Sequence, residues 1–190
     1  MNMLHLSQTD YTVSRWSGGT TTQIAISPPD ASYSARDFLW RISSAVVEDE
    51  QSVFTPLPDY DRQLMLLDGS LLLRHDGGAS LRLDPYQVHA FDGGAATESQ
   101  GRCRDFNLML RKGRCRGRLR PLRLEGPILL PPPQGGLLLL YCAAGQGALG
   151  KGTVLARGES ILLEDGEAPL GLSVSAPADF VAAEIWCEIP

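Results

Sequence analysis

The regular spacing of turn signals is the feature that most constrains the fold of this 190-residue chain. In the first half, Asp68-Gly69, Asp76-Gly77-Gly78, Asp84-Pro85 and Asp92-Gly93-Gly94 separate short runs of strand-forming residues. Turns spaced about eight to twelve residues apart are typical of antiparallel sandwiches and barrels. Since no segment keeps a helical period of about 3.6 residues, the sequence predicts an all-β fold with little helix. The Asp68-Gly69 dipeptide in particular predicts a hairpin.

Composition narrows the class of protein. Hydrophobic residues at 43% and charged residues at 21% are ordinary for a globular domain, and the net charge of −5 argues against nucleic acid as a partner. Residues 1–10 lack the basic start and apolar run of a signal peptide, and the aliphatic run Leu137–Leu140 is too short for a membrane span. The cysteine spacing matches neither a zinc site nor a disulfide framework. We therefore expect a cytoplasmic protein with free thiols at Cys103, Cys115, Cys142 and Cys187.

The stretch Phe38–Arg62 contains two arginines whose positions suggest a binding site. Its first part alternates as a strand, so Arg41 and Ser43 share a face with Leu39. A turn-rich Pro-Asp-Tyr-Asp segment then delivers Arg62 to the next strand. Two arginines from neighbouring elements could hold a carboxylate through charge-assisted hydrogen bonds. Alternatively, each arginine could form an ordinary ion pair with a nearby Asp or Glu.

Hydroxyl groups cluster after a glycine pair earlier in the chain. Gly18-Gly19 precedes a strand in which Thr20 and Thr22 share one face, whereas Thr21 and Gln23 share the other. No lysine follows the glycines and no helix is predicted there, which excludes a phosphate-binding loop. The glycines instead predict a bend that lets a ligand or a strand approach the backbone.

The segment Arg104–Arg111 is predicted to be the last strand of the first half. Phe106 lies on its apolar face, and Asp105 and Asn107 lie on the opposite face. This pattern fits a strand that lines a cavity, and it also fits a strand exposed to solvent.

Neither a metal centre nor a catalytic set is predicted. The histidines His5, His75 and His89 are far apart and form no His-x-His pair. The chain has no Gly-x-Ser-x-Gly motif and no Cys–His pair that sequence can identify. We accordingly predict no catalytic residue, no metal and no cofactor.

A basic segment marks the junction between the two halves. Arg114, Arg116, Arg118 and Arg120 alternate and could form a nucleic-acid stripe. Because no aromatic residues interleave them and the chain is acidic overall, they better fit a solvated edge strand or a linker. We place an N-terminal domain at residues 1–112 and a structural C-terminal domain at residues 113–190. In the second half, Pro131-Pro132-Pro133 predicts a stiff spacer and Asp165-Gly166 a turn.

Several motifs together resemble the HutD/Ves family of cupin-type proteins. The resemblance covers about the first 110 residues, and many family members read Asn-Gly-Gly-Gly-Thr-Thr-Arg-Glu where this chain ends its first motif in Thr22-Gln23. The matching segments are Trp16–Ile24, Asp37–Ala45, Ser52–Arg62, Leu64–Gly69, His89–Gly93 and Arg104–Met109.

The resemblance implies a bicupin, which consists of two antiparallel β-barrels of the double-stranded β-helix type. It also implies a regulatory role in histidine utilisation through binding of a small carboxylate such as N-formylglutamate. The alternatives are a metal-independent isomerase or amidohydrolase acting on a histidine-degradation intermediate, and an interaction module that uses the basic segment. We expect no nucleic-acid or membrane partner, and a homodimer stays open. The expected ligand-binding residues are Arg62, Arg41, Ser43, Thr20, Thr22, Asn107, Asp105 and Phe106.

Overall fold

The structure, a computed structural model, describes residues 2–131, 134–164 and 169–188. It is built from β-strands, with short 3-10 helices at Gln8–Asp10 and Gly150–Gly152. In chain order the strands are β1 (Asn2–Leu6), β2 (Thr12–Trp16), β3 (Gly19–Ser27), β4 (Trp40–Val47), β5 (Gln51–Val53), β6 (Tyr60–Gly69), β7 (Leu71–His75), β8 (Leu81–Leu83), β9 (Val88–Asp92), β10 (Thr97–Gln100), β11 (Cys103–Arg111), β12 (Cys115–Leu124), β13 (Ile128–Leu130), β14 (Leu137–Ala144), β15 (Gln146–Leu149), β16 (Thr153–Ala156), β17 (Ser160–Glu164), β18 (Leu170–Ser173) and β19 (Ala178–Cys187).

The all-β prediction is confirmed, but the predicted closed barrels are not. The chain forms two compact units, one spanning Tyr11–Arg116 and one made of residues up to Asp10 together with residues from Gly117 onward. The first unit contains a six-stranded sheet, β2-β3-β4-β11-β6-β9, and a four-stranded sheet, β5-β10-β7-β8. These sheets are separate in their hydrogen bonding, so the strands of this unit do not close into a cylinder.

The second unit has the same two-sheet construction. Its sheets have the orders β1-β17-β14-β19-β12 and β13-β18-β15-β16, and apolar side chains such as Leu140, Ile161 and Phe180 fill its core. Strand β1 pairs with β17, so the first ten residues belong with this unit rather than with the strands that follow them. Whether the two halves divide into a ligand-binding and a structural domain stays a prediction.

Two hydrophobic clusters form inside the unit Tyr11–Arg116. One includes Leu64 and Leu66 of β6 together with Leu71 and Leu73 of β7, so it joins the two sheets. The other is formed by Phe38, Leu57, Tyr60 and Met109.

Arg116, Arg118 and Arg120 of the basic segment lie in β12, an edge strand of the five-stranded sheet, and Arg114 lies in the turn before it. The edge strand was one of the two forms that the favoured interpretation predicted. Arg118 and Arg120 both donate to the carboxylate of Glu184, which is buried. Part of the basic charge is therefore neutralised within the unit. Of the second-half predictions, Pro132, Pro133, Asp165 and Gly166 lie outside the described residues.

Two further predictions from sequence need correction or completion. Cys103 and Cys142 are free and buried, but Cys115 and Cys187 are disulfide-bonded, so the expectation of four free thiols is wrong. None of the described helices has the length and apolar character needed to cross a membrane.

The hairpin predicted at Asp68-Gly69 is also wrong. Strand β6 pairs with β9 and β11, whereas β7 pairs with β8 and β10, so this dipeptide carries the chain from one sheet to the other. Gly69 has a φ of +84° and lies opposite Cys103, beside a register shift at Arg104/Asp105. The left-handed conformation at Gly69 therefore serves a change of sheet rather than a two-residue turn.

We predict that Gly69→Ala lowers the free energy of unfolding by on the order of 3 kcal/mol, as judged by urea denaturation. An added Cβ would lie 2.3 Å from the carbonyl oxygen of Arg102 and 2.9 Å from the Cα of Cys103. Gly77→Ala is the matched control, because Gly77 also has a positive φ, +68°, but its Cβ would meet nothing within 4 Å. Equal losses in the two variants would contradict the close packing assigned to Gly69.

Candidate functional site

The register of three adjacent strands brings the two predicted arginines together. In the six-stranded sheet, Arg41 of β4 and Arg62 of β6 both pair with Met109 of the intervening strand β11. The next inward-facing row contains Ser43 and Asn107, which are themselves paired. Because side chains of directly paired residues project from the same face of a sheet, this polar group lies on one wall.

The wall borders a cavity of about 310 Å³. The lining includes Val47 and Phe54 from the cluster that joins the two sheets, and Tyr33 and Met109 from the other cluster. The cavity therefore lies between two hydrophobic regions that hold its walls in place. Its lining is Ser14, Arg15, Trp16, Thr21, Tyr33, Arg41, Ser43, Ala45, Val47, Ser52, Val53, Phe54, Thr55, Arg62, Asp105, Asn107 and Met109.

Arg62 is buried and only partly satisfied. Its Nη2 donates to Oδ1 of Asn107 at 3.1 Å, and its guanidinium carbon lies 4.9 Å and 5.3 Å from the ring centres of Phe54 and Phe91. Its Nε is buried and has no hydrogen-bond partner among the described residues. Burial lowers the pKa of Arg62, and the nearby Tyr33 and Asp105 act in the opposite direction.

Arg41 has only neutral hydrogen-bond partners. Its Nε donates to Oε1 of Gln23 at 2.7 Å and its Nη1 donates to Oγ of Ser43 at 3.2 Å. The guanidinium lies 4.6 Å from the ring centre of Tyr33. Burial lowers the pKa of Arg41, and the neighbouring charge of Arg62 acts in the same direction.

The ordinary ion-pair interpretation of these arginines does not hold. Both side chains are buried, each with 6% of its surface exposed. Within the described part of the chain, neither forms an ion pair with Asp or Glu, although arginines such as Arg74 and Arg118 do. The cavity thus contains two buried cations, Arg41 and Arg62, whose charges are oriented by neutral groups rather than cancelled by contact with carboxylates.

Asp105 lies in the next row of the same wall and is the one acidic residue among the described residues of the lining. Its Oδ1 accepts hydrogen bonds from the Ala45 backbone N–H at 2.9 Å and from Nδ2 of Asn107 at 3.0 Å. Burial raises the pKa of Asp105 to about 6, against the opposing effects of these hydrogen bonds and of Arg62. Asn107 therefore connects the carboxyl group to Arg62.

The structure brings five of the expected ligand-binding residues to the cavity, and the other three are not in its lining. Thr20 and Thr22 alternate with Thr21, and it is Thr21 that lines the cavity. Phe106 is fully buried, but it pairs with Ser44 and therefore projects from the face opposite Asp105 and Asn107. The residues that do line the cavity are Arg41, Ser43, Arg62, Asp105 and Asn107.

The misplaced threonines have a simple cause. Sequence alternation correctly divided the strand into a face with Thr20 and Thr22 and a face with Thr21 and Gln23, but it does not decide which face turns inward. Here Thr21 pairs with Ala45, and Gln23 pairs with Ser43 next to a register shift at Gln23/Ala25. The inward face is therefore the one with Gln23, which sequence reasoning did not select.

Other lining residues carried no signal in the sequence. Tyr33 and Phe54 lie outside the regular strands, and Arg15 and Trp16 belong to the exposed strand β2.

His75 and His89, separated by 14 positions, meet with their Nε2 atoms 2.8 Å apart outside the lining. The described residues contain no group of three or more His, Cys, Asp or Glu side chains arranged to hold a metal ion.

Comparison with known proteins agrees with this architecture. A family model described as HutD matches residues 8–182. The chain belongs to the HutD family. Protein Ves from Cronobacter sakazakii (strain ATCC BAA-894) is 36% identical over 107 residues, which are 54% of this chain and 56% of that protein. The match thus spans about half the length of this relative.

Solved structures extend the HutD likeness over nearly the whole chain. A conserved protein of unknown function from Pseudomonas aeruginosa PAO1 has a TM-score of 0.85 at 30% identity, covering 98% of this chain and 100% of that one. HutD from Pseudomonas fluorescens SBW25 has a TM-score of 0.77 at 25% identity, covering 99% and 100%. A bacterial pirin from Escherichia coli in complex with nickel(II) has a TM-score of 0.75 at 8% identity, covering 99% and 100%. At that identity the likeness shows only the cupin-like fold.

The raised pKa of Asp105 predicts a pH-dependent stability. Between its ordinary pKa of 3.8 and about 6, the folded state keeps a proton that the unfolded state has lost, so the unfolding free energy falls as the pH rises. Asp105→Asn keeps the oxygen that accepts from Ala45 and Asn107 but does not titrate. We predict that its stability relative to the parent rises by on the order of 3 kcal/mol from pH 4 to 6.5, measured by urea denaturation.

Asp61→Asn serves as the control for this prediction, because Asp61 lies in the same unit and is exposed. Its stability should follow the parent curve at every pH. If Asp105→Asn also ran parallel to the parent, the assigned desolvation of Asp105 would be wrong.

Proposed function

We propose that this HutD-family protein binds a small carboxylate, such as N-formylglutamate, and thereby regulates histidine utilisation in the cytoplasm. The observation that carries the proposal is the pair of buried arginines, Arg41 and Arg62, that share one cavity and lack ion-pair partners among the described residues. The link to histidine utilisation is what the resemblance to the HutD/Ves family implies, and the HutD family match supports that resemblance. The organisation of the chain as two cupin-type units, each made of two sheets rather than a closed barrel, forms part of the same proposal.

The charge balance of the cavity favours an anion. Three arginines, the exposed Arg15 and the buried Arg41 and Arg62, line the cavity together with one carboxyl group, Asp105. The lining therefore carries a net positive charge when Asp105 is ionised. A buried charge without a close partner is unfavourable, and burial already lowers the pKa of both arginines. A bound carboxylate would supply the missing partner and two acceptor oxygens, which match the planar fork of an arginine.

The remaining lining can recognise the rest of a small ligand. A cavity of about 310 Å³ lies at the lower end of the range typical for small-molecule sites. Hydroxyl groups of Thr21 and Ser43 offer donors and acceptors, and Tyr33 and Phe54 offer apolar surface. This combination fits a short-chain organic acid with an additional polar group better than a bulky or wholly apolar molecule.

An alternative function is catalysis without a metal on a histidine-degradation intermediate. One observation favours it, namely the buried Asp105, whose pKa is raised to about 6 and which could exchange a proton near neutral pH. Product formation from such intermediates by the parent protein, lost in Asp105→Asn, would establish the enzyme. Saturable binding without product supports the binding protein.

We predict that Arg62→Met lowers the affinity for N-formylglutamate by on the order of 2–5 kcal/mol, measured by isothermal titration calorimetry. Methionine keeps an apolar stem against Phe54 and Phe91 but removes the charge and every donor. Replacing a buried charge by an apolar side chain of similar size is often tolerated by a fold, so the variant is expected to remain folded.

Arg74→Met is the matched control for the Arg62 variant. Arg74 belongs to the same unit, but it is exposed and forms an ion pair with Glu98. Its loss should leave the affinity unchanged. The proposed function fails if Arg62→Met binds N-formylglutamate and related small carboxylates as tightly as the parent does.

A second prediction tests the charge balance through Gln23. Gln23→Glu is nearly isosteric and would place a carboxylate against Nε of Arg41, where the amide oxygen now lies at 2.7 Å. This new partner would cancel the charge that attracts the ligand, so we expect the affinity for a small carboxylate to fall at least about tenfold. Titration calorimetry at fixed salt measures the change.

Gln100→Glu introduces the same charge at an exposed position of β10 in the same unit. It should have little effect on affinity, since exposed charges are screened by solvent and salt. An equal response to both glutamates would mean that net charge, rather than the partner of Arg41, controls binding.

A further inference from the structure

Two histidines that are distant in sequence meet between the two sheets of the unit Tyr11–Arg116. His75 lies at the end of β7 and His89 lies in β9, and their Nε2 atoms are 2.8 Å apart. Their rings are stacked with centres 5.1 Å apart, and both pack against Phe91, whose ring centre lies 4.8 Å from that of His75. Both side chains are half-buried, so solvent can reach the pair.

Hydrogen bonds around His75 determine where the protons lie. The Thr97 hydroxyl donates to the carbonyl oxygen of Ala95 at 3.2 Å, so it must accept from Nδ1–H of His75 at 2.8 Å. In the neutral ring, Nε2 of His75 then has a free lone pair and accepts from Nε2–H of His89. One proton therefore lies between the two nitrogens. If the His89 proton moves from Nε2 to Nδ1 of the same ring, the Nε2 atoms of His75 and His89 both present a lone pair to the space between them.

We propose that His75 and His89 form a binding site for one borderline transition-metal cation, such as Zn²⁺ or Cu²⁺, with water completing the coordination shell. Imidazole nitrogen is a preferred ligand of these cations. Two nitrogens bound tetrahedrally at about 2.0–2.1 Å lie roughly 3.3 Å apart, so the rings need to separate by only about 0.5 Å. Because the two Nε2 atoms already face each other, neither imidazole ring has to flip to bind the ion.

The surroundings of the pair match those of a metal-binding histidine. Such a ligand usually donates its second ring N–H to an oxygen that fixes its tautomer, which is what Thr97 does for His75. Burial and the neighbouring His75 lower the pKa of His89, so protons compete little with a cation at neutral pH. No carboxylate is hydrogen-bonded to either ring among the described residues, so the site does not suit Mg²⁺ or Ca²⁺.

The site is separate from the proposed carboxylate cavity, whose lining contains neither histidine. The two inferences can therefore fail independently. The test uses the full chain without a histidine tag, freed of metal with a chelator and titrated with ZnCl₂ and CuCl₂ by calorimetry at pH 7.5. We expect one cation per chain, and an electron paramagnetic resonance spectrum of the copper form that shows two equatorial nitrogen ligands.

Four variants assign the site. His75→Gln and His89→Gln should each weaken binding more than tenfold, and Thr97→Val, which keeps the side-chain shape, should weaken it by about 10- to 100-fold. His5→Gln is the control, since His5 contacts Glu159 in the other compact unit and should leave the affinity unchanged. Undetectable binding by the parent chain, or equal binding by a His75/His89 double variant, would overturn the proposal. Should a variant fail to fold, the copper spectrum of the parent decides, because fewer than two nitrogen ligands also overturns it.

Discussion

Burying two guanidinium groups on one wall without an ion-pair partner is the constraint on which the rest of the site depends. An arginine that could reach water would do so, since its stem is flexible and its head group is strongly favoured by solvent. Here the central strands β4 and β6 fix both backbones on either side of β11, and hydrophobic clusters lie at each end of the cavity. The arginines are held inward because the sheet leaves their side chains no outward path.

Neutral groups complete this arrangement by orienting charge without removing it. Gln23 and Ser43 fix the guanidinium of Arg41, and Asn107 fixes that of Arg62. The aromatic faces of Tyr33, Phe54 and Phe91 lie 4.6–5.3 Å from the cations and add weak attraction. A site prepared in this way loses little conformational freedom when an anion enters, which is the condition for tight binding of a small ligand.

The sequence could predict the strands but not how they are joined or which way they face. Turn spacing correctly indicated an all-β chain, and alternation grouped Arg41 with Ser43, and Asp105 with Asn107, on shared faces of their strands. They failed at Asp68-Gly69, because a glycine with positive φ serves a change of sheet as well as it serves a hairpin. They also failed at Thr20 and Thr22, because alternation fixes the two faces of a strand and only the neighbouring strands decide which is inside.

The same limit explains the residues that were missed altogether. Tyr33 and Phe54 reach the cavity from irregular segments, for which no periodicity exists to be read. His75 and His89 meet because β7 and β9 belong to two different sheets packed together, a relation that their sequence separation does not encode. The alternation of residues within each strand was therefore predictable from the sequence, whereas side-chain contacts that depend on how the sheets pack required the structure.

The position of Gln23 gives physical meaning to a difference within the family. Many HutD/Ves members carry Arg-Glu where this chain has Thr22-Gln23, and the second of these positions contacts Arg41 of the cavity wall. A glutamate there would pair with Arg41 and leave the wall, with Arg62 and Asp105, close to neutral. With glutamine at 2.7 Å from Arg41, the same wall keeps one net positive charge when Asp105 is ionised. On electrostatic grounds, the proposed carboxylate site of this chain should therefore favour a more negatively charged ligand than the same site with glutamate at that position.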